Sequence, residues 1–310
     1  MKKIPIRKIW KNYGTLLLFI AFFIFLSIAS PVFFTLDNLM SILRQISILG
    51  LVSLGMLLVM VGGNIDLSVG SILGFTAVIT AKLSLDFGIF PAIIIGLLIA
   101  VTIGFVNGYF STRGKGLSIM VTLSTKLMIY GGTIIITQTK PIINLPKGFE
   151  FFGQKSFGPI SVPVIFLVLV IIIIQVIMSN TIFGRRIYAA GGNDVAAKFS
   201  GISVKKMQIS TFIIAAVLSM IGGLILTSRV ASAQPNAGFG MEMDVIGAVL
   251  LGGASLSGGS GTVRGTIIGV LIFGLINNGL NLIGVDPLLR DVIKGAIILF
   301  AILSDQWGKE

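Results

Sequence analysis

Residues 160–228 read ISVPVIFLVLVIIIIQVIMSNTIFGRRIYAAGGNDVAAKFSGISVKKMQISTFIIAAVLSMIGGLILTS, two apolar runs with a polar, basic island between them. Ile160 to Ser179 and Ile209 to Ser228 each approach the ~20 residues that a helix needs to cross the hydrocarbon core of a bilayer. The island, Phe183 to Thr211, carries Arg185, Arg186, Lys198, Lys205 and Lys206 against a single acid, Asp194. Within it Asn193 is placed to cap a short helix, and Asp194 sits where the helix dipole favours negative charge. Asp194 and Lys198 stand at i,i+4, and Gly201 supplies the left-handed residue that ends the helix. About two turns of helix bury no core of their own, so Val195, Phe199 and Ile202 on one side need a partner surface. The island is either a docking surface for another protein or a connecting loop lying on the bilayer surface.

Outward from this stretch the apolar pattern recurs, near Gly14 to Phe34, Ile46 to Gly63, Ser68 to Ser84, Gly88 to Phe110, Leu117 to Thr137, Val245 to Leu256, Gly265 to Gly284 and Val292 to Leu303. Hydrophobic residues make up 55% of the chain and charged residues 11%, and the mean hydropathy is +1.04. The expectation is an all-α polytopic membrane protein of about eight to ten transmembrane helices, one membrane domain over residues 1–310. A barrel would show segments of about ten residues with alternating polarity, which the long runs lack. The net charge of +12 does not point to nucleic acid, because the Lys and Arg residues fall in loops between spans and not on one aromatic-studded face. Segments 1–13, 111–116, 180–208, 257–264 and 304–310 hold fourteen of them, against seven in the opposite loops: Arg44, Lys82, Lys140, Lys147, Lys155, Arg229 and Arg290. The positive-inside rule then places residues 1–13, the loop 183–208 and both termini in the cytoplasm. The first span resembles a signal peptide in its basic start and in Ser27-Ile28-Ala29, but its apolar run continues through Pro31 to Phe34, and retention is expected.

Two Gly-rich breaks interrupt the runs, Gly62-Gly63-Asn64-Ile65-Asp66-Leu67-Ser68-Val69-Gly70-Ser71 and Gly252-Gly253-Ala254-Ser255-Leu256-Ser257-Gly258-Gly259-Ser260-Gly261. They echo one another, as do Gly104-Phe105-Val106-Asn107-Gly108 and Gly274-Leu275-Ile276-Asn277-Asn278-Gly279, and two echoes in one order point to an internal repeat, a common transporter plan. The breaks make the third and eighth spans candidates for re-entrant or unwound segments. Polar groups inside a membrane mark a permeation path by default, which makes Asn64, Asp66, Ser68, Asn107, Asn277, Asn278 and Asn281 path candidates. Each has a plainer reading. Asp66 with Ser68 caps a helix at the cytoplasmic interface. The asparagines hold helices together by hydrogen bonds. Lys126 and Lys294 snorkel or pair with a carboxylate such as Asp291.

The chain has no Cys and no His, which removes thiol nucleophiles, disulfides, Ser-His-Asp triads and His- or thiolate-ligated metals. Among the eleven carboxylates only Glu242 with Asp244, and Asp286 with Asp291, lie close in sequence, and neither pair has a basic or nucleophilic companion at motif spacing. An enzyme is disfavoured, and with no G-x-x-x-x-G-K-[ST] any ATP is bound by another subunit. A stand-alone secondary carrier would need a coupling-ion site, for which Asp66 is the clear candidate. An intramembrane hydrolase would need a nucleophile and base that the sequence does not offer.

The same residues carry a family resemblance. GGNIDLSVGS (62–71), GFVNGYFSTR (104–113), FGRRIYAAGGNDVAAKFSGI (183–202), SAQPNAGFGMEMDVIGAVLLGGASLSGGSGTVRGTIIG (232–269) and INNGLNLIGV (276–285) resemble the permease subunit of ribose-type monosaccharide ABC importers, from about Leu36 to Asp305. The resemblance implies a bacterial inner-membrane permease that works with a second permease chain, cytoplasmic ATP-binding subunits and an extracytoplasmic sugar-binding protein. It carries a pentose, a hexose or a related polar solute such as a furanosyl signalling molecule or a polyol, with no cofactor or metal of its own. By it, Asn193, Asp194, Val195, Ala196, Ala197, Lys198, Phe199, Ser200 and Gly201 look like the coupling helix that docks on the ATPase. One departure lies at 114–126, where members usually have a Pro near Leu117 and Ser118 and an uncharged residue at Lys126. A Pro there would kink the helix start.

Overall fold

The structure, a computed structural model, describes residues 6–114, 116–286, 289–290, 292–296 and 299, with side chains from Thr15 onward. Eleven helices follow one another: α1 (Ile6–Ala29), α2 (Leu36–Val61), α3 (Val69–Phe87), α4 (Ile89–Ser111), α5 (Leu117–Thr137), α6 (Val162–Asn180), α7 (Ile182–Gly192), α8 (Asp194–Phe199), α9 (Val204–Val230), α10 (Met241–Leu251) and α11 (Val263–Leu282). A 3₁₀ turn and a two-residue hairpin, β1 (Ser156–Phe157) with β2 (Ile160–Ser161), lie between α5 and α6. Seven helices, α2 to α6, α9 and α11, are long and apolar enough to cross a membrane, and α1 adds the shorter apolar stretch Thr15–Ala29. The chain is a multi-pass membrane protein.

The third expected span is a full-length helix, α3. The eighth is not: α10 has 11 residues, about 16 Å of helix, half of what the hydrocarbon core requires. The tenth, Val292 to Leu303, lies half outside the described residues, and 292–296 are helical.

Packing explains which runs are buried. α2 is the central post, buried without interruption from Ile46 to Val61 and touched by α6, α9, α10 and α11. α4 lies against α9 through Gly96, Ala100, Gly104 and Gly108, one small residue per turn. A Cβ on Gly104 would come 2.7 Å from Ile213 Cα, and one on Gly108 would come 2.7 Å from Ile209 Cα. Without a hydrophobic driving force between helices in lipid, such close backbone approach is what supplies packing energy.

The first sequence echo is a repeated piece of backbone. Gly62 ends α2 at φ −71°, ψ 0°, and Gly252 ends α10 at φ −69°, ψ 0°. The next glycines, Gly63 and Gly253, have φ of 82° and 83°. In one, Gly63 N–H donates to Met60 O and Asn64 N–H to Val59 O; in the other, Gly253 N–H donates to Leu250 O and Ala254 N–H to Val249 O. Both are Schellman closures, which need the left-handed second residue that glycine adopts freely. The second echo does not share this register. Asn107 lies on the second helix after its break and Asn277-Asn278 on the first.

The two breaks meet at one end of the molecule, together with the end of α7. Gly259 N–H donates to Val61 O at 2.9 Å, Tyr188 Oη–H to Gly261 O at 2.6 Å and Gln208 Nε2–H to Gly62 O at 3.0 Å. A Cβ on Gly191 would fall 1.8 Å from Val61 O and 2.9 Å from Gly259 N. Gly191→Ala is therefore expected to destabilise the purified protein by about 1–3 kcal/mol, the range for overpacking a tight site. A melting curve in detergent checks this, and an unchanged midpoint would contradict the contact.

Candidate functional site

Between α2 and α3 the chain runs extended along α5. Ile65 N–H donates to Ser118 Oγ at 3.5 Å and Leu67 N–H to Thr122 Oγ1 at 3.0 Å. The two acceptors stand one turn apart on α5, so each residue pair of the climbing strand meets a hydroxyl. The rung above belongs to side chains. Thr125 Oγ1–H donates to Asn107 Oδ1 at 2.7 Å, Asn107 Nδ2–H to Ser68 Oγ at 2.8 Å, and Ser68 Oγ–H to Asp66 Oδ1 at 2.6 Å. Asp66 Oδ1 also accepts from Ser68 N–H at 2.8 Å, an Asx turn. Asp66, Ser68 and Asn107 are fully buried.

This corrects the reading of Asp66 with Ser68 as a helix cap at the interface. Ser68 is the N-cap residue of α3, but its side chain makes no capping bond, and Asp66 holds Ser68 itself. Thr125, at the same level, stands eight residues or about 12 Å along α5, so the unwound segment lies within the depth of the bundle. The second carboxylate oxygen of Asp66 has no hydrogen-bond partner among the described residues.

A second unwound segment descends from α9 to α10 on the other side of α3. Its backbone lies directly on two α3 glycines: a Cβ on Gly70 would meet Gly238 O at 2.1 Å, and one on Gly74 would meet Ala237 O at 2.2 Å. It delivers Glu242 and Asp244, in the first turn of α10, to two lysines. Lys126, in the middle of α5, pairs with Glu242, and Lys294 pairs with Asp244 at 2.8 Å. Both lysines thus pair with a carboxylate; Asp291 lies outside the described residues. Their companions come from 116 and 50 residues away, a separation that no local motif displays. An unpaired charge at such depth would cost about 2.5–3.5 kcal/mol on insertion scales. Lys126 Nζ also lies 5.1 Å from the centroid of the Phe239 ring, which packs on Tyr130 at 4.8 Å.

The two echoed asparagine sites, Asn107 and Asn277-Asn278, are not brought together. Asn107 belongs to the α3–α4–α5 network above. Asn278 exchanges amide hydrogen bonds with Asn38 of α2, at 2.8 and 3.2 Å. Asn277 is half-buried at a cleft of about 100 Å³ that it shares with Gln45 and Asp244, and Asn281 is exposed. Asn64, half-buried, places its amide 3.4 Å from Gly62 O.

At the end where the breaks meet, α7 and α8 form a small unit. Asn193 Oδ1 accepts from Ala196 N–H at 2.9 Å, Lys198 pairs with Asp194 at 2.9 Å, and Gly201 at φ 75° lets Gly201 N–H reach Lys198 O and Ile202 N–H reach Ala197 O. Ala197 is buried with Ala190 and Val204, and Ile202 packs on them. Ile202 therefore does not belong to the outward face, a second correction: the Schellman closure turns it inward. Val195 and Phe199, one turn apart, remain outside at 52% and 90% exposure, on a surface where Ala196 and Ser200 are also exposed.

The asparagine network carries a prediction. Asn107→Leu removes two buried hydrogen bonds and leaves Thr125 and Ser68 short of a partner, so stability should fall by about 1–3 kcal/mol. Asp66→Asn keeps the Oδ1 acceptor and replaces the unpartnered oxygen by an amide, so it should insert and transport within about threefold of wild type, or less than ~0.7 kcal/mol. Thermal unfolding and uptake assays on the two proteins check both, and equal damage from both would show that the carboxylate charge matters.

Known proteins bear on this arrangement. Residues 38–302 match the family described as branched-chain amino acid transport system / permease component. The chain is 43% identical over 309 residues to the ribose import permease protein of Bacillus subtilis, covering 98% of this chain and 96% of that one. It is 39% identical to the ribose import permease protein of Haemophilus influenzae, over 93% and 92% of the two chains. With the L-arabinose transport system permease protein of Escherichia coli the identity is 34%, over 98% and 93%. No solved structure matches the chain. With eight apolar helices, two unwound segments inside the bundle and a family match over most of its length, this chain belongs to the permease-component family of such transport systems.

Proposed function

We propose that this chain is the permease subunit of an ABC importer for a monosaccharide, ribose or a similar pentose or hexose, in a bacterial plasma membrane with both termini in the cytoplasm. The observation that carries the sugar assignment is near end-to-end identity of 34–43% with permeases named for ribose and L-arabinose. The family description names branched-chain amino acids, but it covers the family, whereas these relatives align with this chain over nearly all its length. The whole chain, residues 1–310, acts as one membrane domain. ATP is bound by partner subunits, and selectivity is shared with an extracytoplasmic binding protein. A second permease chain completes the pair.

In this reading α8 is the coupling helix. Its caps are satisfied within the chain, Ala197 and Ile202 anchor it to α7 and α9, and Val195 with Phe199 is left as a ridge for the groove of an ATPase. An amphipathic ridge of i,i+4 anchors in a groove is a standard mode of helix recognition. The alternating movement of the permease then begins where α7 touches both breaks.

Phe199→Asp places a charge on the ridge without touching the buried anchor. It should leave the chain inserted and abolish stimulation of ATP hydrolysis by sugar-loaded binding protein, reducing uptake at least tenfold, or about 1.4 kcal/mol. Reconstituted complex with labelled ribose and L-arabinose checks this. Wild-type stimulation in the variant would sink the docking assignment, and no uptake of any sugar by the wild-type complex would sink the substrate assignment.

A further inference from the structure

Non-helical backbone at membrane depth is tolerated only where protein buries it or where it lines a water-filled cavity. The segment that descends on Gly70 and Gly74 is buried on one side, yet Asn236, Phe239 and Gly240 on its other side are exposed, with Phe239 at 56%. Beside them is Lys126, whose side chain retains 16% exposure although it stands nine residues, or about 14 Å, along a membrane-crossing helix. This face is therefore not a lipid face.

Its chemistry is specific. Glu242 is 1% exposed and accepts from Lys126 through Oε1, while Oε2, itself buried, has no partner among the described residues. Oε2 sits in a slot that only a glycine leaves open, since a Cβ on Gly70 would lie 2.9 Å from it. A buried acceptor without a donor is costly, and the Lys126 ammonium has three N–H donors with one used on Glu242. The two remaining donors of Lys126, a lysine held in place by the buried Glu242 carboxylate, stand beside the tilted rings of Phe239 and Tyr130 and match a solute with adjacent hydroxyl oxygens on one edge and C–H bonds on its face.

We propose that Lys126, Phe239 and Tyr130, with Glu242 positioning the lysine, form a solute-contact site in the translocation path, selective for a small, neutral, polyhydroxylated molecule. This rests on the monosaccharide reading and adds to it the place and the residues. A diol accepts from the two remaining lysine N–H groups with the Lys126–Glu242 ion pair intact. A zwitterionic amino acid would have to split the pair to use both charges, so the site discriminates against it.

The test uses the complex assembled with its ATPase and binding protein in proteoliposomes, with labelled D-ribose, L-arabinose and L-leucine as probes. Two variants separate a contact site from a structural staple. Lys126→Met with Glu242→Gln removes both charges together, so neither is left buried alone, and Phe239→Ala alters an exposed ring that holds no core. Both are expected to raise the KM for D-ribose at least fivefold, with basal ATP hydrolysis and melting temperature close to wild type. Exchanging the charges, Lys126→Glu with Glu242→Lys, would restore a staple, and here is expected to leave the KM raised. A KM within twofold of wild type in both of the first two variants, or full recovery on charge exchange, overturns the site. Wild-type import of L-leucine in preference to either sugar overturns its stated selectivity. Failure of the wild-type complex to import D-ribose or L-arabinose overturns the monosaccharide reading and this site with it.

Discussion

Inside a bilayer every backbone N–H and C=O must find a partner within the protein, because no water is there to supply one. Eight apolar helices meet that demand along their length, and the interest of the molecule lies where they do not. Residues 62–68 leave helical geometry at depth, and α5 answers their backbone N–H groups with two hydroxyls one turn apart, Ser118 and Thr122, while Thr125 on the next turn donates to Asn107. Thr122 also reaches a carbonyl within its own helix, donating to Ser118 O at 2.7 Å. The face of α5 that the sequence displays as a scatter of small polar residues is thus the acceptor half of a second element's backbone.

Glycine meets the same demand by a different route. Where two backbones must lie against one another without side chains between, a missing Cβ brings the peptide groups within bonding distance, as in Gly259 N–H to Val61 O. The inner cluster of Gly63, Gly191, Gly258 and Gly259 is such a place, with Cβ positions at 63 and 191 blocked or adjacent to backbone of the neighbouring segment. The α10–α11 crossing is built likewise, a Cβ on Gly265 falling 2.0 Å from Gly252 O and one on Gly269 falling 1.9 Å from Ala248 O. A surface without side chains has no interlocking knobs, so segments meeting on it shift with little steric resistance while they stay in contact.

Much of this was legible in the sequence, and the boundary has a physical reason. Apolar run length located the crossing helices, and capping chemistry located α8 to the residue, because Asn193, Asp194, Lys198 and Gly201 all act within one stretch of nine residues. The matching of the two Gly-Gly breaks was legible too, since a Schellman closure is a local event. What local pattern does not contain is a partner at long range. Lys126 and Glu242 lie 116 residues apart, and nothing near either names the other. The partners of Asn107 were hidden for the same reason, and Ile202 was placed on the wrong face because helical spacing was extended past the residue where Gly201 reverses the chain. The length of α10 was misjudged where apolar composition continues into a segment that glycine has already unwound.

With α8 as the proposed coupling helix and Lys126 at the proposed solute site, the geometry bears on how docking at one end would reach the other. α8 has too few residues to move independently of α7, to which Ala197 and Ile202 fasten it. The last turn of α7 touches both breaks at once, through Gly191 on Val61 and on Gly259. From the first break the chain climbs to Ser68 and Gly70, against which Glu242 rests. From the second it continues backward through α10 to the same Glu242. A displacement of α7 therefore arrives at the Glu242 carboxylate by two short routes, one through α3 and one through α10, and any difference between them changes the slot between Gly70 and α10. Coupling through two converging elements needs no long chain of side-chain contacts, only two rigid pieces that share an origin at the glycine cluster and an end at one ion pair.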